Sequence, residues 1–356
     1  MTALKQLLIQ RIAATGPMTL ADFMGECLLH PSFGYYTNET VFGRRGDFTT
    51  APEISQMFGE LLGLLLAQVW MDQGQPSATL AEVGPGRGTL MSDVLQATRK
   101  VPGFAKAMQV HLVEASPQLR ALQEEAVRGY GARWHNALSD LPDAPLFLLA
   151  NEFLDALPVR QFRRDGTGWR ECLVHAEGAD LRFAFSEIVD VPAIAHRLVD
   201  TQPGEIVEFC PALSAAIGEI SRRIARHGGL AVIIDYGDWR SRGDTFQAVQ
   251  SHQPVDPLLA PGQADLTAHV DFEAVARAAA MAGATTSRMT SQGVLLERLG
   301  ITARAQQIAE RLPDKEALDS HIAAHQRLTH PQEMGSLFKT IAIYRPGTPP
   351  PPGFDP

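Results

Sequence analysis

The 356-residue chain predicts an α/β fold on a doubly wound, mostly parallel sheet, and three observations carry that expectation. Short apolar runs near 79–84, 110–115, 132–135 and 145–150 alternate with helical stretches near 88–100 and 117–128, the order that parallel strands joined by crossover helices require. The alternation breaks over 159–209 and then resumes with a helix near 211–227, the strong strand Leu230 to Ile234, a helix near 272–282 and a final pair that includes Phe338 to Tyr344. The first strand runs into a glycine turn with a carboxylate just ahead of it: Leu80 to Thr89 reads LAEVGPGRGT.

In chain order, Leu4, Leu7, Leu8 and Ile12 recur at helical spacing, so the protein begins with an amphipathic helix that stops at Gly16-Pro17. Residues 1–78 are read as an N-terminal helical or lid region. The core nucleotide fold takes 79–158 and 210–345. Between its halves, the segments QFRR, WRECLVH, LRFAFSEIV and EIVEF alternate with turns such as Asp165-Gly166 and Glu177-Gly178, which predicts an antiparallel insertion over 159–209. A helical insertion is expected over 296–328, and the Pro- and Gly-rich stretch 346–356 reads as a disordered tail. A seven-stranded sheet with lid and insertions accounts for the length without a second independent domain.

Composition narrows the function classes. The net charge of −9 lacks the basic surface that nucleic-acid binding usually needs. No apolar run reaches the ~18 residues of a membrane helix, so no membrane span is expected. Cys27, Cys172 and Cys210 are scattered and form no C-x-x-C pair, which fits a reducing compartment. Lys5 and Arg11 without acids raise an organelle presequence, but the segment is poor in Ser and Arg. The expected location is therefore a bacterial cytoplasm rather than the mitochondrial matrix. The edge of the antiparallel insertion could support a homodimer.

The glycine turn separates cofactor classes. Gly84, Gly86 and Gly88 permit positive φ and a close ligand approach, with Pro85 between them. A dinucleotide fingerprint G-x-G-x-x-G needs glycine where Thr89 stands, and no Gly-Lys-Ser/Thr follows for a phosphate loop. The spacing matches the acidic-x-Gly-x-Gly-x-Gly loop of S-adenosylmethionine methyltransferases, with Glu82 as the acid that holds the ammonium end. Glu114, 32 positions further on, closes the next strand, where a carboxylate can accept both ribose hydroxyls; it could equally cap the helix that Ser116-Pro117 starts.

The acceptor side lies at the end of the fourth strand, in Asn151-Glu152-Phe153-Leu154-Asp155. Methyl transfer is an in-line displacement that mainly needs positioning in a dry pocket. An arginine acceptor also needs carboxylates to orient its fork and take up a proton. Asn151, Glu152 and Asp155 are the candidate catalytic residues. Gly46, Asp47, Thr49 and Thr50 form a polar loop that could close over the cofactor, or else a turn and helix cap. Asp235 and Tyr236 end the fifth strand on the same rim, and His269 with Asp271 is a possible acid/base pair; Asp235, Tyr236 and His269 are the candidate substrate-binding residues. His321 and His325 share a helical face, but Ile322 replaces the glutamate of H-E-x-x-H, so no metal site is expected.

Together, Gly46 to Ser55, the glycine loop, Asn151 to Pro158, Ile234 to Gly237, Thr267 to Phe272 and Met334 to Lys339 resemble, in that order, the MidA-like family over about residues 16 to 345. The resemblance implies a class I S-adenosylmethionine-dependent methyltransferase with a Rossmann-like seven-stranded sheet. It also implies protein arginine N-methylation, since the mitochondrial members are complex I assembly factors that methylate an arginine of a core NADH dehydrogenase subunit. A non-catalytic assembly factor with the same cofactor site, and a NAD-linked oxidoreductase, are the alternatives. Calorimetric titration separates them: saturable binding of S-adenosylmethionine and S-adenosylhomocysteine with no NADH signal is expected, and NADH binding alone would reverse the assignment.

Overall fold

A computed structural model describes residues 2–37 and 50–356. The chain forms two compact units. One contains residues 50–154, 215–239 and 271–356 among those described, and the other residues 2–37, 155–214 and 240–270.

The first unit is built on strands β1 (Ala78–Val83), β2 (Met108–Val113), β3 (Arg133–His135), β4 (Leu146–Asn151), β5 (Gly229–Asp238) and β6 (Phe338–Tyr344). They lie in the order β3-β2-β1-β4-β5-β6, and the two-residue strand Thr285–Thr286 completes a seven-membered path. The pairs from β3 to β5 are parallel, while β6 runs antiparallel to β5 and to Thr285–Thr286. The sheet thus grows outward from β1 in one direction and resumes on its other side at β4. Such a reversal opens a crevice beyond the strand carboxyl ends. The order follows from the sequence: Leu230 to Ile234 are all buried, as a central strand covered on both faces must be.

Helices α1 (Ala51–Ile54), α2 (Gln56–Asp72), α3 (Thr89–Thr98) and α4 (Pro117–Ala126) flank the glycine loop in sequence. Phe58, Leu62 and Leu65 of α2 and Met91 and Val94 of α3 pack in one core with Leu80, Phe147, Leu149, Val232 and Ile234 of the sheet. Bare backbone brings the two helices together. A Cβ on Gly59 would lie 2.6 Å from Asp93 Cβ, and one on Gly63 would lie 3.0 Å from Val94 Cα.

The segment after Gln292 is helical over Gln292–Arg298, Ile301–Ala309, Lys315–Thr329 and Met334–Leu337. His321 Nε2 contacts Ala305 O at 3.0 Å and His325 Nε2 contacts Thr302 Oγ1 at 3.0 Å, so the two histidines join neighbouring helices. Arg304 donates to both oxygens of Glu60, at 2.7 and 3.0 Å, and fastens this segment to α2. The expected disordered tail is instead seated: Phe354 is buried against the core that contains Leu295, the Arg288 N–H donates to Asp355 O at 3.0 Å, and Arg298 pairs with Asp355 at 2.9 Å. One aromatic residue with a place to go outweighs the Pro and Gly around it, and composition alone does not reveal that place.

In the other unit, Gly168–Glu177 pairs antiparallel with Met18–Thr19, Arg160–Asp165 and Asp180–Val189, and Ile206–Phe209 pairs with Arg160–Asp165. Two-residue turns carrying Gly166 (φ +56°) and Gly178 (φ +62°) make the hairpins, as their sequence suggested. Leu4, Leu8 and Ile12 of the helix Ala3–Thr15 pack on this sheet's Val174 side together with Phe23 and Met24. Leu7 departs from the expected stripe at 42% exposure, while Lys5 is buried with its ammonium 3.1 Å from Asp180.

The sequence stretch Met334 to Lys339 has a packing reason at Gly335. A Cβ there would sit 2.0 Å from Thr329 O and 2.8 Å from His330 O. Gly335→Ala is therefore expected to lose about 2–3 kcal/mol in chemical denaturation by overpacking. Gly166→Ala, at positive φ in open space, should lose only about 1 kcal/mol. The reverse order would contradict this account of the stretch.

Candidate functional site

The glycine loop leaves β1 with three successive positive-φ glycines, Gly84 (+63°), Gly86 (+53°) and Gly88 (+83°). Their reasons differ. A Cβ on Gly84 would meet the Phe153 ring at 3.0 Å, and one on Gly88 would meet Ala126 Cβ at 3.1 Å and Gln123 Cα at 3.3 Å. At Gly86 it would meet nothing within 4 Å, and the residue is exposed. Gly84 and Gly88 let protein elements close on the loop, and Gly86 leaves bare backbone in open space. Gly88 also begins α3, where Ser92 N–H donates to its carbonyl at 3.0 Å. Thr89 Oγ1 donates to Glu53 Oε1 at 2.5 Å.

Glu82 lies under this loop at 3% exposure. One backbone N–H, from Met91, reaches its carboxyl, and among the described residues Oε2 has no hydrogen-bond partner. Burial pushes its pKa up to about 8. A buried acid with an open oxygen is suited to a cationic ligand group, which would restore its charge. Asp93 lies nearby on α3; burial first, then Glu60 and Glu53, raise its pKa to about 7.

At the end of β2, Glu114 accepts from Ser116 N–H at 2.8 Å and from Gln123 Nε2 at 3.3 Å. Burial raises its pKa and these bonds oppose the rise. Arg120 donates through Nε to the Glu114 carbonyl at 2.8 Å, so α4 grips both the backbone and the carboxylate of this residue. The capping reading is thus partly realised, since Glu114 receives the Ser116 N–H while Ser116 caps α4 through Leu119 N–H.

At the end of β4, Glu152 holds φ at +52°, a costly conformation for a residue with a Cβ. Its N–H donates to Ile234 O at 2.9 Å, and its Oε1 accepts from Asn151 Nδ2 at 3.0 Å and Ala51 N–H at 3.4 Å. Asn151 is buried, and its Oδ1 has no hydrogen-bond partner among the described residues. Asp235 is fully buried and accepts from Leu154 N–H at 2.9 Å and Tyr236 N–H at 3.0 Å. It fixes the Glu152 turn from below, a role the sequence did not disclose. Tyr236 is buried with its ring edge-on to Phe338, centroids 5.5 Å apart.

The predicted residues therefore fall into three groups. Glu82, Gly84, Pro85, Gly86, Gly88, Thr89, Glu114, Asn151, Glu152, Asp235 and Tyr236 share the unit that contains the parallel sheet, and Thr50 stands there at the N-cap position of α1 with no side-chain capping bond among the described residues. Asp155 and His269 belong to the other unit. There Asp155 is buried, its carbonyl accepts from Ala268 N–H at 3.0 Å, and the His269 N–H donates to Thr245 Oγ1 at 2.8 Å. Asp271 is a helix cap that accepts from Ala274 N–H at 2.9 Å. Gly46, Asp47 and Thr49 lie outside the described residues. Sequence reasoning missed Gln123 and Glu53, whose roles depend on contacts between elements. Among the described residues no cluster of His, Cys, Asp or Glu forms a metal site.

A glycine turn open at one position, with the buried Glu82 and the half-buried Glu114 at neighbouring parallel strand ends, is an arrangement suited to a nucleoside cofactor. Residues 61–290 match a family described as "Putative S-adenosyl-L-methionine-dependent methyltransferase", and the chain belongs to that family. Its cofactor is S-adenosyl-L-methionine. A Drosophila melanogaster relative, "Protein arginine methyltransferase NDUFAF7 homolog, mitochondrial", is 37% identical over 96% of this chain and 85% of its own length. The Homo sapiens "Protein arginine methyltransferase NDUFAF7, mitochondrial" is 35% identical over 96% of this chain and 83% of its own length. A Burkholderia thailandensis crystal structure bound to S-adenosyl-homocysteine is 30% identical, with a TM-score of 0.84 over 99% of this chain and 94% of that one. The cytoplasmic location expected from the sequence is corrected by these names, because the curated relatives that match nearly the whole chain are mitochondrial proteins. A Ser- and Arg-poor beginning was too weak a signal to decide it.

The raised pKa of Glu82 carries a stability consequence. Its folded value of about 8 lies above the ordinary carboxylate value, so the fold favours the protonated acid. The ligand-free protein is therefore penalised as pH rises through the interval from ~4.5 to ~8. Glu82→Gln should stabilise the ligand-free protein by up to about 4 kcal/mol at pH 8, with no gain at pH 4. The same variant should weaken S-adenosylmethionine at least tenfold. Equal effects on stability at both pH values would contradict an uncharged, buried Glu82.

Proposed function

We propose that the chain is a protein arginine N-methyltransferase whose client is a core subunit of an NADH dehydrogenase of the complex I type. The observation that carries this reading is the end of β4. Glu152 is held in a left-handed conformation beside Asn151, whose buried Oδ1 still needs a donor. A guanidinium brings several N–H donors in a fixed fork, one of which the Asn151 oxygen could accept. The relatives' names supply the arginine, and the resemblance in the six motifs supplies the respiratory client.

In this reading Glu82, Gly84 to Thr89 and Glu114 hold S-adenosylmethionine, with Glu82 toward the ammonium group and Glu114 toward the ribose. When bound, the cofactor supplies a methyl group on a sulfonium, an electrophile that needs no metal. Asn151 orients the acceptor fork. Glu152 localises its charge on the far nitrogens, so that the nitrogen facing the methyl group keeps its lone pair available, and it receives the proton released. Tyr236 lines the acceptor channel. Asp235 serves the same channel by fixing the turn that carries Glu152. The mitochondrial names of the relatives accord with a respiratory client.

The test uses tritium-labelled S-adenosylmethionine, the purified chain and a recombinant NADH dehydrogenase core subunit, with methylarginine read by amino-acid analysis. Label should appear in arginine of the subunit. Glu152→Gln should lower transfer about 100-fold or more while S-adenosylhomocysteine affinity stays within about threefold, and Gly86→Val should abolish binding of the cofactor. Client binding by the wild-type protein without any transfer would favour the assembly-factor reading. Transfer to a residue other than arginine would overturn the acceptor assignment.

A further inference from the structure

We propose that Gln123 is a positioning residue for cofactor binding, a buried amide that sets the glycine loop and the ribose-facing acid in one arrangement. The proposal rests on the cofactor roles assigned to Gly86 and Glu114. Gln123 projects from α4 and is fully buried, so it cannot itself touch a ligand. Its side chain joins three elements: Nε2 donates to Gly86 O at 2.8 Å and to Glu114 Oε2 at 3.3 Å, and Oε1 accepts from Trp134 Nε1 at 2.8 Å. Both amide hydrogens and the carbonyl are thereby engaged.

The chemistry of each partner explains why an amide is needed. Gly86 is the loop residue with open space around it, and a bond to its carbonyl fixes the peptide that a ligand must approach. Glu114 has one oxygen held by Ser116 N–H at 2.8 Å and the other by Gln123. With both oxygens anchored, and the Ala115 N–H as a further donor, the plane of the carboxylate is set. A carboxylate at 123 would repel Glu114, and an apolar side chain would leave Gly86 O and Glu114 without this donor. The third glycine belongs to the same device. A Cβ at Gly88 would lie 3.3 Å from Gln123 Cα, so the bare backbone at 88 lets α4 approach closely enough to deliver the amide. One turn earlier, Arg120 donates to the Glu114 carbonyl at 2.8 Å, so the same helix face holds the backbone of that residue as well.

Calorimetric titration with S-adenosylhomocysteine tests the role, with thermal unfolding recorded for every variant. Gln123→Leu should raise Kd about tenfold or more. In a Glu114→Ala background the same change should cost distinctly less, because part of its effect passes through that acid. Trp134→Phe removes the third partner but leaves both donors of Gln123 in place. It should lower thermal stability while Kd stays within about threefold, which a merely structural glutamine would not show. Should Gln123→Leu fail to fold, the isosteric Gln123→Glu carries the test: its binding should weaken with rising pH more steeply than that of the wild type. An unchanged Kd in Gln123→Leu, fully multiplicative losses in the double variant, or losses in Trp134→Phe as large as those in Gln123→Leu would overturn the positioning role. Failure of the wild-type protein to bind S-adenosylhomocysteine would instead overturn the cofactor assignment beneath it.

Discussion

The parallel register of β2, β1, β4 and β5 is the constraint on which the rest of the site depends. Val83 stands beside Val113 on one side and Ala150 on the other, and Ile234 stands beside Asn151. The residues that follow these positions, Gly84, Glu114, Glu152 and Asp235, therefore emerge at one edge of the sheet. A one-residue slip would reverse every side chain along a strand. The register is held because β1, β4 and β5 are buried almost without interruption, which leaves no solvent-facing alternative for their apolar runs.

On this edge the protein trades stability for function at identifiable atoms. Among the described residues Glu82 is buried with an oxygen that has no hydrogen-bond partner, the Asn151 side-chain oxygen has none either, and Glu152 occupies a left-handed conformation. Each costs free energy in the ligand-free protein, and under the proposed function each is a place for a ligand. The surrounding shell is satisfied. Gln123, Arg120 and Asp235 place their donors and acceptors on backbone and carboxylate groups of the rim, so the unsatisfied atoms sit in a rigid frame.

Much of this was legible in the sequence, for a physical reason. Parallel strands buried on both faces read as continuous apolar runs, and glycines at a ligand-facing turn stand out because few other residues tolerate positive φ there. Strand ends then locate the acids Glu82, Glu114 and Glu152. Contacts between elements were not legible. Gln123 looks like any polar residue of an amphipathic helix until the packing at Gly88 brings α4 onto the loop. Asp235 reads as a rim carboxylate, yet its two oxygens serve backbone N–H groups. Leu7 fits the helical stripe of the first helix but faces solvent, while Lys5 takes an inward position through its bond to Asp180. The tail hides one anchoring phenylalanine within a composition that usually signals disorder.

The central claim is that the cofactor lies across the ends of β1, β2 and β4, over Gly86. A crystal structure of the protein with S-adenosylhomocysteine measures this most directly. The account predicts the amino-acid end of the ligand against the loop above Glu82, the ribose hydroxyls on Glu114, and the sulfur directed toward Asn151 and Glu152. A ligand bound elsewhere in the chain, or one whose ribose lies away from Glu114 with its sulfur turned from the end of β4, would contradict it.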